Sequence, residues 1–207
     1  MRDHTVQQYL DELASAAPAP GGGAVAALHA AQAAALVCMV CNLTLGNARY
    51  QAAESTMRRA LEAAGSLRTE ALDLAERDAA AYAAVARAYR LPRATEEERT
   101  ARSDAVQAAL RVAAAVPLAT AGAAAQVIDL CRQVVDAGNP NVVSDVGVAA
   151  ASARAALDCA ELNVRVNLAL LRDEAFVASA AERLDTHLCA AGAADDVLRT
   201  VRERLAP

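Results

Sequence analysis

Residues 18–46 read PAPGGGAVAALHAAQAAALVCMVCNLTLG and contain no Asp, Glu, Lys or Arg. Twenty-nine consecutive uncharged residues leave three choices: a membrane span, a helix buried among others, or one wall of a ligand site. Residues 25–45 could cross a bilayer by length. Yet His29, Gln32, Asn42 and Thr44 interrupt them and alanine makes up much of the bulk. No second segment of that length is evident, and the flanks lack Trp and Lys anchors. A central helix uncharged on every face fits better. The three glycines at its mouth, Gly21, Gly22 and Gly23, need a separate reason. They make either a tight turn out of the prolines, or a place where free backbone N–H groups and the positive helix end approach a ligand.

The rest of the chain favours helices throughout. Hydrophobic residues are 56 % of the 207, mostly alanine, with 2 % aromatics and no Trp. Alanine favours helix and adds little volume, so such a core needs closely packed helices. No segment shows period-two alternation bounded by turns, so no strands are expected. Thr5 with Gln8 forms a capping box ahead of Val6, Leu10 and Leu13. A long helix follows from about residue 51 and closes at Pro92; Thr95 and Glu98 cap the next. Pro117 lies inside that one and predicts a kink or break near Val116. A loop at DAGNPNVVSD precedes a helix over 145–171, and one or two more run from Asp173 to the end, divided near Gly192. The fold class expected is all-α, a multihelical bundle around the uncharged helix, as one domain over residues 1–207.

Charge and cysteine content narrow the function. The net charge is −5, every basic residue is Arg, and no basic block occurs, so a nucleic-acid partner is not expected. The start has no cleavable leader pattern, because Asp3, His4, Asp11 and Glu12 interrupt it. Five scattered cysteines suit a reduced cytoplasm. Cys38 and Cys41 form C-x-x-C inside a helix with no strand before it and no further ligands nearby, which reads as core packing, with no metal site. No E-x-x-H occurs, which argues against a di-metal bundle.

Two constellations carry chemistry. On the long helix an apolar stripe runs Leu61, Ala64, Leu67, Ala71, Leu74, then Asp78, then Ala81 and Val85. Asp78 is thus a carboxylate on the buried face, one turn before Tyr82. Burial would raise its pKa and suit it to proton transfer or to holding a cation. The alternative is a buried ion pair with an Arg. Farther along, Asn139, Asn141, Ser144 and Asp145 cluster in GNPNVVSD, while Asn163 and Asn167 share a helical face. Such amides either read the edge of a heterocycle or join helices; left unpaired when buried, each costs roughly 1–3 kcal/mol.

The segments PAPGGGAVAA, VCNLTLGNARY, DAAAYAAVARAYRLP, NPNVVSDVGVAAA and LNVRVN occur in the order found in the cyclodeaminase/cyclohydrolase family of folate enzymes, which this chain resembles from about Leu13 to Leu170. The resemblance implies an all-helical homodimer or higher oligomer acting on a tetrahydrofolate, with no cofactor beyond that substrate. It places the catalytic carboxylate at Asp78, in AERDAAAY. It implies substrate contacts from Gly21, Gly22, Gly23, Asn42, Arg49, Tyr82, Asn139, Asn141, Ser144, Asp145, Asn163 and Asn167. Family members often carry a hydroxyl residue where Ala19 stands and Ser or Gly at Ala24, and two or three lysines where GNARY has Arg49 alone. Two reactions follow: hydrolysis of 5,10-methenyltetrahydrofolate, or release of ammonia from 5-formiminotetrahydrofolate. Stand-alone length favours the first. A helical folate-binding scaffold without turnover is the third reading. The Asp78 and Asn side chains are expected to converge on one cleft beside the glycines.

Overall fold

The computed structural model describes residues 3–206, which form helices and turns with no strand among them. The α-helices are α1 (Val6–Leu13), α2 (Gly22–Asn42), α3 (Glu54–Tyr89), α4 (Glu96–Val134), α5 (Val143–Leu168), α6 (Glu174–Leu188) and α7 (Ala190–Leu205). Short 3-10 turns at Ala48–Ala53 and Pro140–Val142 lead into α3 and α5. Both capping boxes form: Thr5 and Gln8 exchange bonds at the start of α1, and Thr95 and Glu98 do so at α4. The last division falls at Cys189, and Gly192 lies inside α7.

Helices α2, α3, α4 and α5 form the bundle, with α6 and α7 laid against α4 and α5. Alanines let the axes approach: of the buried residues in α2, seven are Ala, with Gly23, Val37, Cys38, Val40 and Cys41. Antiparallel pairing of α2 and α5 follows from three contacts. Gly22 lies against Asn163, the His29 carbonyl accepts from Ser152 Oγ at 3.1 Å, and Thr44 Oγ1 accepts from the Asn139 N–H at 3.0 Å.

Three expectations need correction. First, α2 is not surrounded on every face. Val25, Leu28, Gln32, Leu36, Met39, Asn42 and Leu43 form a stripe that is half-buried or exposed. Second, α4 also contains an 18-residue window long and apolar enough to cross a membrane, although, as in α2, more than half of that window is buried in the bundle. Its alanines and valines pack the core, and composition alone does not separate that role from a span. Third, α4 runs unbroken through Pro117. Proline leaves the carbonyl four residues back, that of Ala113, without its helical donor. Asn167 Nδ2 of α5 supplies a replacement at 3.1 Å. The helix survives because a neighbouring helix brings the missing N–H.

Cys38, Cys41 and Cys131 are buried as core residues, Cys159 is half-buried, and Cys189 is exposed at the α6–α7 junction. Burial pushes the Cys41 thiol up to about 11 and Cys131 to about 12.

Candidate active site

The α2 N-terminus and the middle of α3 meet at one point. Gly21 is the N-cap and has no side chain to satisfy the first-turn N–H groups. The first helical bond there is Val25 N–H to the Gly21 carbonyl, 3.1 Å. The Asp78 carboxylate, arriving from α3, accepts the Ala24 N–H. It does so because Gly23 has no Cβ: one placed there would overlap the Asp78 carboxyl. The glycine is required by close approach, and the stripe that carries Asp78 is the face α3 buries, with Ala71, Leu74, Ala75 and Ala81 around it.

A cavity of about 360 Å³ opens beside this contact. Pro18, Ala19 and Gly21–Gly23 form one wall, and Asp78, Ala81, Tyr82 and Val85 of α3 another. Leu110 and Ala113 of α4 form the floor, and Asn163, Val166, Asn167 and Leu170 close the side of α5. Gln107 of α4 holds that last edge in place: its Nε2 donates to the Leu170 carbonyl at 3.1 Å and its Oε1 accepts the Arg172 N–H at 2.8 Å.

The two side-chain amides of the cavity have their N–H groups engaged. Asn167 uses its Nδ2 on the Ala113 and Asn163 carbonyls, at 3.1 and 2.8 Å. Asn163 uses its Nδ2 on the Cys159 carbonyl at 2.8 Å. Both amides therefore keep their oxygens for a ligand. Among the described residues, Asp78 is the only charged one in the lining. It has no ion-pair partner among the described residues, so the Arg pairing weighed from the sequence does not occur. Burial pushes its carboxyl above the usual carboxylate range, and the Ala24 N–H pulls it partly back. Tyr82 lines the cavity and is 47 % exposed.

The expected convergence of all the amides does not hold within one chain. Asn139, Asn141, Ser144 and Asp145 sit at the far end of α2. There Asn139 is fully engaged: its Nδ2 donates to the Leu43 carbonyl at 3.2 Å, and its Oδ1 accepts from Tyr50 OH at 3.1 Å and the Asn141 N–H at 3.0 Å. That is helix-end packing, set by the antiparallel course of α5. Asn42 and Arg49 are exposed at the same end. Asp78, Gly21–Gly23, Tyr82, Asn163 and Asn167 are brought together; Asn42, Arg49, Asn139, Asn141, Ser144 and Asp145 are not. Sequence reasoning missed Gln107 and the Pro117–Asn167 coupling; the proline itself was the available signal.

The structure thus sets a lone half-buried carboxylate at a helix N-terminus beside a cavity, inside an all-α bundle. The chain belongs to the formiminotransferase-cyclodeaminase family, whose model matches residues 5–186. It is 43 % identical over 204 residues to a methenyltetrahydrofolate cyclohydrolase of Methylorubrum extorquens, covering 98 % of each chain. It is 35 % identical to rat formimidoyltransferase-cyclodeaminase over 90 % of this chain and 34 % of that one. The crystal structure of formiminotetrahydrofolate cyclodeaminase from Thermotoga maritima has the same fold, with a TM-score of 0.85, 29 % identity, and coverage of 99 % of this chain and 96 % of the other.

Proposed function

We propose that this protein hydrolyses 5,10-methenyltetrahydrofolate to 10-formyltetrahydrofolate, with Asp78 as general base. The observation that supports it is the Asp78 carboxylate, without an ion-pair partner among the described residues, in a cavity that also holds the Asn163 and Asn167 amides. The methenyl carbon bridges N5 and N10 and carries delocalised positive charge. A carboxylate in a cavity with no cation stabilises that charge more strongly than it would in water. Its raised pKa makes it a better base than an exposed Asp.

The steps are then simple. Asp78 takes a proton from a water as the oxygen adds to the methenyl carbon. The C–N5 bond of the tetrahedral adduct breaks, N5 takes up its electron pair and a proton, and the formyl group remains on N10. One proton is released to solvent. The oxygens of Asn163 and Asn167 would accept N–H groups of the pterin, and Tyr82 would lie against a ring.

The second reading is formiminotetrahydrofolate cyclodeamination, favoured by the Thermotoga maritima likeness. There N10 attacks the formimino carbon on N5 and ammonia leaves. The two adducts differ only in OH against NH2, so one carboxylate serves both. Purified protein given each folate separately distinguishes them by the methenyl chromophore: loss of absorbance reports hydrolysis, and gain reports cyclodeamination. No change with either overturns the enzyme reading and favours a folate-binding scaffold.

A further inference from the structure

The cavity has a direction. Along α3 its lining runs from Asp78 through Tyr82 to Val85, along α5 from Asn163 to Leu170, and along α4 from Ala113 back to Leu110. At one end the Gly21–Gly23 turn lies against both Asp78 and Asn163. At the other, the three helices leave toward the same end of the bundle, where α3 stops at Tyr89, α5 stops at Leu168 and α4 begins at Glu96. A small apolar cluster of Ala88, Val106 and Leu110, with Val85 and Leu171 against it, holds that end together.

Two guanidinium groups stand just beyond this cluster. Arg102, half-buried on α4, donates from Nε to the Tyr89 carbonyl at 3.1 Å, and its Cζ lies 5.5 Å from the centre of the Tyr89 ring. Arg172, shortly after α5, donates from Nη1 to Ser103 Oγ at 2.9 Å, and Gln107 holds its backbone N–H. The two side chains are thus anchored on adjacent residues of α4. Neither has an ion-pair partner among the described residues. Glu96, Glu98 and Asp173 at this end are engaged elsewhere: Glu96 pairs with Arg99, Glu98 caps α4 and Asp173 pairs with Arg111. Each arginine is positioned by a neutral acceptor that takes one N–H, which leaves the rest of its planar fork for a carboxylate.

We propose that Arg102 and Arg172 form a carboxylate subsite for the glutamate tail of the folate, and that the preferred substrate carries more than one γ-linked glutamate. The identity of the anion rests on the folate reading. From Asp78, Val85 is about 10 Å along α3 and Tyr89 about 16 Å. With the methenyl carbon beside Asp78, an extended tail puts its first carboxylate about 10 Å away and its γ-carboxylate about 13 Å away, by bond lengths. One glutamate reaches the edge of the arginine pair, and a second or third reaches across it. The separation also has a chemical reason. A guanidinium beside Asp78 would oppose the positive charge of the methenyl group, whereas cations beyond Val85 bind the tail without doing so.

The test compares 5,10-methenyltetrahydropteroate, whose tail ends in a carboxyl on the ring, with the mono- and triglutamate forms of 5,10-methenyltetrahydrofolate. For the wild type, kcat/KM should rise along that series, about tenfold or more in all, and added NaCl should shrink the gain. The double variant Arg102→Gln, Arg172→Gln should raise KM for the triglutamate about tenfold, keep kcat within about twofold, and match the wild type on the pteroate. Arg202→Gln, exposed on α7, is the control and should change nothing. Circular dichroism confirms folding. Damaged packing would lower activity on every substrate, and a lost subsite only where there is a tail. A wild type with no preference along the series overturns the subsite. So does a double variant that keeps the wild-type KM for the triglutamate, or that falls equally on all the substrates.

Binding measured without turnover separates the subsite from the reaction. In titration calorimetry, 5-formyltetrahydrofolate triglutamate should bind the double variant about tenfold more weakly than the wild type. A wild type that turns over neither methenyl- nor formiminotetrahydrofolate, yet binds this probe through the two arginines, overturns the reaction and leaves the subsite standing. Equal binding by wild type and double variant, or binding by neither, overturns the subsite.

Discussion

The Asp78 carboxyl occupies the space where a side chain at Gly23 would begin. Position 23 must therefore lack a side chain for Asp78 to reach the Ala24 N–H. Ala at position 23 should displace the carboxylate while leaving α2 helical, since Ala favours helix over Gly. Gly23→Ala is expected to lose at least about tenfold in kcat, on the scale by which a misplaced general base matters. Gly65 in α3 is the control: nothing lies within 4 Å of its added Cβ. Gly65→Ala should keep full activity and stabilise by about 0.5–1 kcal/mol. Steady-state kinetics with urea unfolding checks both, and a fully active Gly23→Ala would contradict the steric argument.

The Ala113 carbonyl depends on Asn167 because Pro117 cannot serve it. Asn167→Ala should cost roughly 1–3 kcal/mol, the range for a buried acceptor left unpaired. The Pro117→Ala background restores the helical N–H, so there the same change should cost markedly less. A double-mutant cycle by denaturant unfolding reads the coupling directly. Additive costs would show that Asn167 stabilises the fold by some other contact.

Burial raises the Asp78 pKa above its unfolded value, and the sign of its effect on stability follows. A raised carboxyl favours the folded state below the unfolded value, about 3.9, and that contribution is lost as pH rises through the folded pKa. At pH 7 the charged form therefore costs stability. Asp78→Asn should melt no lower than wild type at pH 7, and any advantage should vanish as pH falls toward 4. Melting followed by circular dichroism across pH decides it. A variant several degrees less stable at pH 7 would mark Asp78 as a structural cap. The acid limb of kcat/KM should likewise have its midpoint above the ordinary Asp value.

Much of the site was legible in the spacing of residues. A carboxylate at three-and-four spacing among Leu74, Ala71 and Ala81 has to lie on the packed face of α3, and it does. The glycines were legible as a site of close approach, but what approaches them was not, because Asp78 is fifty-five residues distant in the chain. The uncovered stripe on α2 was hidden for a different reason. A helix uncharged on all sides carries no periodicity to show which side faces out. Asn139 and Asn163 look alike in sequence; only the antiparallel course of α5 sends them to opposite ends of α2. Pro117 signalled a break correctly in local terms, and a side chain fifty residues later reversed it.

The most direct test of the central claim is turnover of 5,10-methenyltetrahydrofolate by Asp78→Asn, read as loss of the methenyl absorbance per folded molecule. Asn is nearly isosteric and can still accept the Ala24 N–H, but it neither takes a proton nor balances the cation. The account predicts a fall in kcat on the order of 10²–10⁴-fold with the fold intact. Wild-type turnover by the folded variant would contradict it and remove Asp78 from the chemistry.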